Sequence, residues 1–157
     1  MARRDRLIQE RIHDPYFVSD KYSDQTVCPR CGVAYRGGVF EWPLATSQDA
    51  PRTLCPACRR IKDNYAGGEI VLEGAFLAEH SDEIVNTVRN TDKSEKAQRP
   101  LERIMGIVIA GNRIEVKTTY EHLARRIGEA VHSAFKGELK LRYSDDEKFI
   151  RVHWRRD

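Results

Sequence analysis

No stretch of this 157-residue chain is apolar for long. The longest such run is Ile104 to Ala110, far short of the ~20 residues that cross a bilayer as a helix, which excludes a membrane-spanning helix. The first residues, MARRDRLIQERIHD, lack the apolar stretch and the small-residue cleavage site of a secretory signal, so the expectation is a cytoplasmic protein with reduced cysteines. A GxxxxGK phosphate loop, a dinucleotide fingerprint and a nucleophile elbow are equally absent. His122 and His132 lie ten residues apart on one expected helix, and His13, His80 and His153 stand alone. No catalytic constellation emerges, and the chain is expected not to be an enzyme.

A strong charge of one sign is also missing, since the net charge is only +3. Its distribution is uneven. Residues 1–27 are neutral, 28–66 carry +3, 67–103 carry −3 and 104–157 carry +3. Two separate basic segments would attract polyanions, against the plainer reading of a solvated mixed-charge surface.

What the chain does have is four cysteines in two CPxC pairs, Cys28-Pro-Arg-Cys31 and Cys55-Pro-Ala-Cys58, separated by 23 residues. Four soft ligands at this spacing suit a tetrahedral zinc site. Proline after Cys28 and glycine after Cys31 suit a tight knuckle. The second pair lacks that glycine and runs toward an expected helix, which favours a treble-clef-like arrangement over a symmetric ribbon. Disulfides conflict with a reducing compartment, and a dithiol redox site would need one CxxC in a βαβ frame. A rubredoxin-like iron centre uses the same ligands and stays open as an alternative to Zn2+. With four thiolates no coordination position is left for water or substrate, so the metal is structural. Such sites supply on the order of 10 kcal/mol of folding free energy.

The expected architecture is α+β, a small four-cysteine module followed by a mixed domain of about five strands and two helices. Residues 1–25 read as an extended arm with a short helical turn near Leu7, Ile8 and Ile12. Residues 26–66 form the metal module, with Arg36-Gly37-Gly38 turning Val33-Ala-Tyr35 into Val39-Phe-Glu-Trp42 and a short helix after Cys58 closed at Gly67-Gly68. Residues 67–157 form the second domain. Its expected elements begin with a strand from Glu69 to Phe76 and a helix capped by Ser81 that buries Ile84, Val85 and Val88 and frays from Asn90 to Arg99. A strand from Ile104 to Ala110 turns at Gly111-Asn112 into an alternating strand from Arg113 to Thr119. The helix from Tyr120 to Phe135 places Leu123, Ile127, Ala130, Val131, Ala134 and Phe135 on one face. Strands Glu138 to Tyr143 and Lys148 to Arg155 follow, joined by the acidic turn Ser144-Asp-Asp-Glu147.

Alternation in three of these strands separates Ile114 and Val116, Leu139, Leu141 and Tyr143, and Ile150, Val152 and Trp154 from their polar neighbours. If the apolar sides lie under helices, the exposed rows present Arg113, Lys117, Lys140, Arg142, Arg151 and Arg155 against Glu115 and Glu138. Like charges facing one another across strands repel unless neutralised, and a phosphate backbone would do so. The metal module adds Arg30, Arg36, Arg52, Arg59, Arg60 and Lys62, with Tyr35, Phe40 and Trp42 as bases' stacking partners or simply as the module's small core. Arg3, Arg4 and Arg6 could anchor an anionic polymer or serve solubility alone.

The succession of CPRCG, LCPACRR, GGEIVLEGAF and NRIEVKTTYEHLARRIGEAV over roughly residues 26–155 resembles the N-terminal half of the large-ribosomal-subunit export adaptor of the nonsense-mediated-decay-three family. It is also similar to small bacterial proteins of unassigned function with this layout. The resemblance implies a cysteine-metal module and an α+β domain docking together on ribosomal RNA and ribosomal proteins. Only Cys28, Cys31, Cys55 and Cys58 carry over residue by residue; family members carry more cysteine pairs and a C-terminal transport part that this sequence does not match. The resulting expectation is a zinc-containing RNA-binding or ribosome-associated protein, with a protein-interaction adaptor as the alternative.

Overall fold

The computed structural model describes Tyr16, residues 22–144, residue 146 and residues 148–157. The expected helical turn of the arm, Arg3, Arg4 and Arg6, and Asp145 and Glu147 of the acidic turn lie outside the described residues. The fold is α+β: a four-cysteine module with a three-stranded sheet, and a second unit with a five-stranded mixed sheet and two helices.

In the module, β1 (Thr26–Val27), β2 (Ala34–Arg36) and β3 (Val39–Glu41) form an antiparallel sheet. Helix α1 (Pro56–Asp63) follows. It starts earlier than the sequence suggests because Cys55 is its N-cap, with the sulfur accepting the Cys58 N–H, and proline suits the first helical position. It ends at Asn64 in the left-handed region (φ 54°), so asparagine rather than Gly67 supplies the stop. Tyr22 is buried and donates its hydroxyl to Leu54 O at 2.9 Å, which extends the module into the segment expected to be an arm.

The second unit runs β4 (Gly68–Glu73), α2 (Ala75–Gln98), β5 (Ile104–Ala110), β6 (Arg113–Thr118), α3 (Glu121–Phe135), β7 (Glu138–Ser144) and β8 (Phe149–Arg155). The sheet order is β5-β6-β4-β8-β7. All neighbours are antiparallel except the central pair β4–β8. The expected strand through Phe76 stops at Glu73, because Gly74 takes φ 124° and turns the chain directly into α2. Ser81 is therefore not a helix cap; the change of direction sits one residue earlier, at His80 (φ −125°, ψ 25°). Nor does the helix fray at Asn90. Its second half is held from outside, with Asp92 accepting the Ile104 N–H at 3.2 Å and Glu95 paired to His122 and Arg126 of α3.

Both helices lie on one face of the sheet. Ile70 and Leu72 of β4, Ile114 and Val116 of β6, and Ile150, Val152 and Trp154 of β8 point the same way and pack against Leu77, Ile84 and Val88 of α2 and Leu123, Ile127 and Val131 of α3. Each fully buried Leu or Ile contributes roughly 1.5–3 kcal/mol. The buried stripe of α3 uses Ala124 and Gly128 in place of the expected Ala130 and Ala134. These small residues let the helix approach β4 and β8 closely. Among the described residues no helix lies on the opposite face of the sheet.

Candidate metal centre and cationic face

The knuckle at Cys28 closes locally: Gly32 N–H reaches Cys28 O at 3.0 Å and Cys28 N–H reaches Val33 O at 2.9 Å. This brings Cys31 beside Cys28. Cys55 and Cys58 come from the first turn of α1. All four sulfurs lie within 4.8 Å of one another, and Cys31 and Cys55 are 3.8 Å apart. A tetrahedron with metal–sulfur bonds of about 2.3 Å has edges of about 3.8 Å, so the set fits a tetrahedral ion. All four are free thiols.

Charge makes the same point. The Cys28 thiol is held well below its usual range by hydrogen bonds from Cys31 and Cys55, whereas its hydrogen bonds to Cys28 and Cys31 push Cys55 up. Sulfurs this close cannot all be thiolates unless a cation lies among them. One cation is present in the chain itself. The Arg103 guanidinium, only 8% exposed, donates to Cys31 Sγ at 3.0 Å and Cys58 Sγ at 3.3 Å. Its Nε–H goes to Pro100 O at 2.8 Å, and its Cζ lies 5.4 Å from the Trp42 ring centroid. The sequence offered no signal for it: an arginine 45 residues beyond Cys58 in a charged stretch belongs to no motif.

The aromatics of the module are its core and its seam. Tyr22, Tyr35 and Phe40 cluster with ring centroids 5.0–5.7 Å apart. The Trp42 indole N–H donates to Lys96 O of α2 at 2.8 Å. Arg60, expected on an RNA-binding surface, is instead 4% exposed. It donates to Thr119 O at 3.0 Å and lies over the Tyr120 ring at 4.1 Å, because α1 is docked against the start of α3. A phosphate cannot reach it. Arg59 is half-buried and donates to Leu54 O, and Arg36 pairs with Glu41 at 3.4 Å. Arg30 and Lys62 are exposed and make no ion pair among the described residues.

The open face of the large sheet gathers all six expected strand cations. Register places Lys117, Glu69, Arg151 and Arg142 in one row, Glu115, Val71, His153 and Lys140 in the next, and Arg113, Glu73, Arg155 and Glu138 in a third. The central strand β4 thus inserts two carboxylates that the alternation of the other strands does not count. Glu73 pairs with Arg113 at 3.1 Å, with His153, and with Arg155 at 4.0 Å. Glu69 pairs with Arg151 at 2.8 Å. The His153 hydrogen bond holds the Glu73 carboxyl below the usual range. Lys117, Lys140 and Arg142 make no ion pair among the described residues. The face therefore carries six full cations against four carboxylates, with its unpaired charge toward β7 and the outer end of β6.

No family model, curated protein or solved structure matches the chain. Among the described residues no helix is long and apolar enough to cross a membrane.

Proposed function

We propose that this chain is a zinc-containing RNA-binding or ribosome-associated protein that is not an enzyme. Its four-cysteine module is held by structural Zn2+, and it docks on folded RNA through the open sheet face. The observation that carries this reading is a helix-free sheet face on which Lys117, Lys140 and Arg142 stand without an internal carboxylate among the described residues. Backbone phosphates are the partners that such a face lacks. Zinc is the proposed ion because a closed four-cysteine set is the ordinary ligand set of a structural zinc site, and the visible thiolate–iron colour would distinguish the alternative. The resemblance to the ribosomal export adaptor family belongs to the same proposal and supplies the expected target, ribosomal RNA and proteins, with a cytoplasmic location.

Three free cations set the size of the effect. With a slope of −0.7 to −0.9 per phosphate contacted, RNA affinity falls about 20- to 40-fold between 50 and 200 mM salt. Lys140→Glu with Arg142→Glu, both on an exposed edge strand, removes RNA retention on a filter without lowering the melting temperature. Retention unchanged in that variant, or a flat salt response, removes this face from the site.

A protein-interaction adaptor is the second reading, and one observation favours it. The edge strand β5 carries no charged side chain and leaves Val108 63% and Ile109 51% exposed. Sedimentation of a lysate with and without nuclease separates the two readings: an RNA-dependent assembly collapses on nuclease treatment, and a protein-bound one does not.

A further inference from the structure

Two units with separate apolar cores meet in this molecule, one around the cysteines and one between the helices and the large sheet. Among the described residues, polar contacts that join them include Arg103 to the sulfurs, Trp42 to Lys96 O, and Arg60 to Thr119 O, and Leu101 packs against the cysteine core. Arg103 and its neighbour Thr119 tie this seam together further, because Arg103 N–H donates to Thr119 Oγ1 at 2.9 Å and that hydroxyl donates to Leu101 O at 2.6 Å. The metal ligands and the seam therefore share one buried cation.

A buried guanidinium is costly unless an anion faces it. Among the described residues no carboxylate pairs with Arg103; the negative charge it faces is that of Cys31 and Cys58. A metal ion binds cysteine as thiolate, and Arg103 spans one sulfur from each CPxC pair. A divalent ion on four thiolates has a net charge of −2, and one buried guanidinium halves it. Without the ion, no bond joins the two CPxC pairs that Arg103 spans. Cys55 also caps α1, the helix that carries Arg60. Losing the ion thus loosens a second of these contacts.

We propose that Arg103 is a positioning residue of the metal centre and that metal occupancy controls docking of the four-cysteine module onto the α+β domain. The inference rests on the reading of the four cysteines as a metal site. The module then acts as a metal-dependent clasp: loaded, it is locked on Arg103; emptied by a chelator, it lets go while the larger core stays folded.

The test uses the full chain loaded with Zn2+, and in parallel with Co2+ alone as a spectroscopic probe. The unmodified chain binds one equivalent. On chelation its Trp42 emission, identified by difference from Trp42→Phe, moves to longer wavelength, and trypsin cuts within residues 28–66 while 67–157 persists. Arg103→Lys, which keeps a charge but not the planar fork, shifts the cobalt–thiolate charge-transfer band. It weakens zinc binding about 10- to 100-fold against a chromophoric competitor, and Arg103→Gln weakens it at least as much. An unmodified chain that takes up neither ion overturns the metal reading and this inference with it. One equivalent of zinc bound with unaltered affinity and cobalt spectrum in both variants overturns this inference alone. Chelation of the unmodified chain that leaves Trp42 emission and the trypsin pattern unchanged does the same, independently of how the variants fold.

Discussion

Single residues decide more of this molecule than its composition suggests. Glu102 is a case outside the proposed sites. Its carboxylate accepts the Leu123 N–H at 2.9 Å, capping the first turn of α3 from a neighbouring segment. Burial pushes its pKa up to about 7, against the pull of the Leu123 N–H and with Glu121 adding to the rise. Raised in the folded state, this group holds its proton more tightly there than in the unfolded chain. Its contribution is complete below the ordinary carboxylate range and is lost as pH climbs to about 7. Glu102→Gln keeps an acceptor and removes the charge. The variant should match the parent near pH 4 and gain up to about 3 kcal/mol over it by pH 7.5, read from paired urea midpoints. A constant difference across that range would show that Glu102 titrates normally. The four cysteines were legible because their meaning is local, a spacing that folds into a knuckle and a helix turn. Arg103, Arg60 and Glu102 were not, because each matters only through a partner 16 or more residues away.

At the scale of elements, strict alternation identified β6 and β8, whose buried and exposed residues fall as the period of two requires. It held less well in β7, where Leu141 and Tyr143 are 38% and 53% exposed, since this edge strand extends past the cover of α3. The strand order was not legible. Nothing in Glu69 or Glu73 announces that β4 lies between β6 and β8, yet that position turns three of the six face cations into internal ion pairs. Helix α2 was underread for a related reason: its polar second half is a poor helix alone and persists through Asp92 and Glu95. The close approach of α3 to the sheet gives a sharper test. A Cβ on Gly128 would sit 2.5 Å from Val152 Cγ1 and 3.2 Å from Leu139 Cδ1. Gly128→Ala, although better for the helix itself, should therefore destabilise by about 1–3 kcal/mol in chemical denaturation. A stabilised variant would mean that α3 is free to lift.

The whole molecule is two cores of different kinds, one built from apolar side chains and one organised by sulfur. Ile84, fully buried between α2 and the sheet, probes the first. Ile84→Ala should cost about 2–5 kcal/mol and lower the α+β transition in calorimetry while one zinc per chain remains bound at 25 °C. Zinc released at that temperature would instead indicate one cooperative unit. The resemblance-level layout, cysteine knuckle first and α+β domain second, was readable from the order of patterns along the chain. Their mutual docking was not, because it runs through side chains such as Arg103, Trp42 and Arg60 that have no periodic signature. The parallel pairing of β4 with β8 joins positions 82 residues apart, as between Glu69 and Arg151. A nascent chain must therefore emerge through residue 155 before its middle strand finds its second neighbour. Until then β4 offers a naked, apolar margin, and refolding should be slow for so small a protein and sensitive to crowding by its own copies.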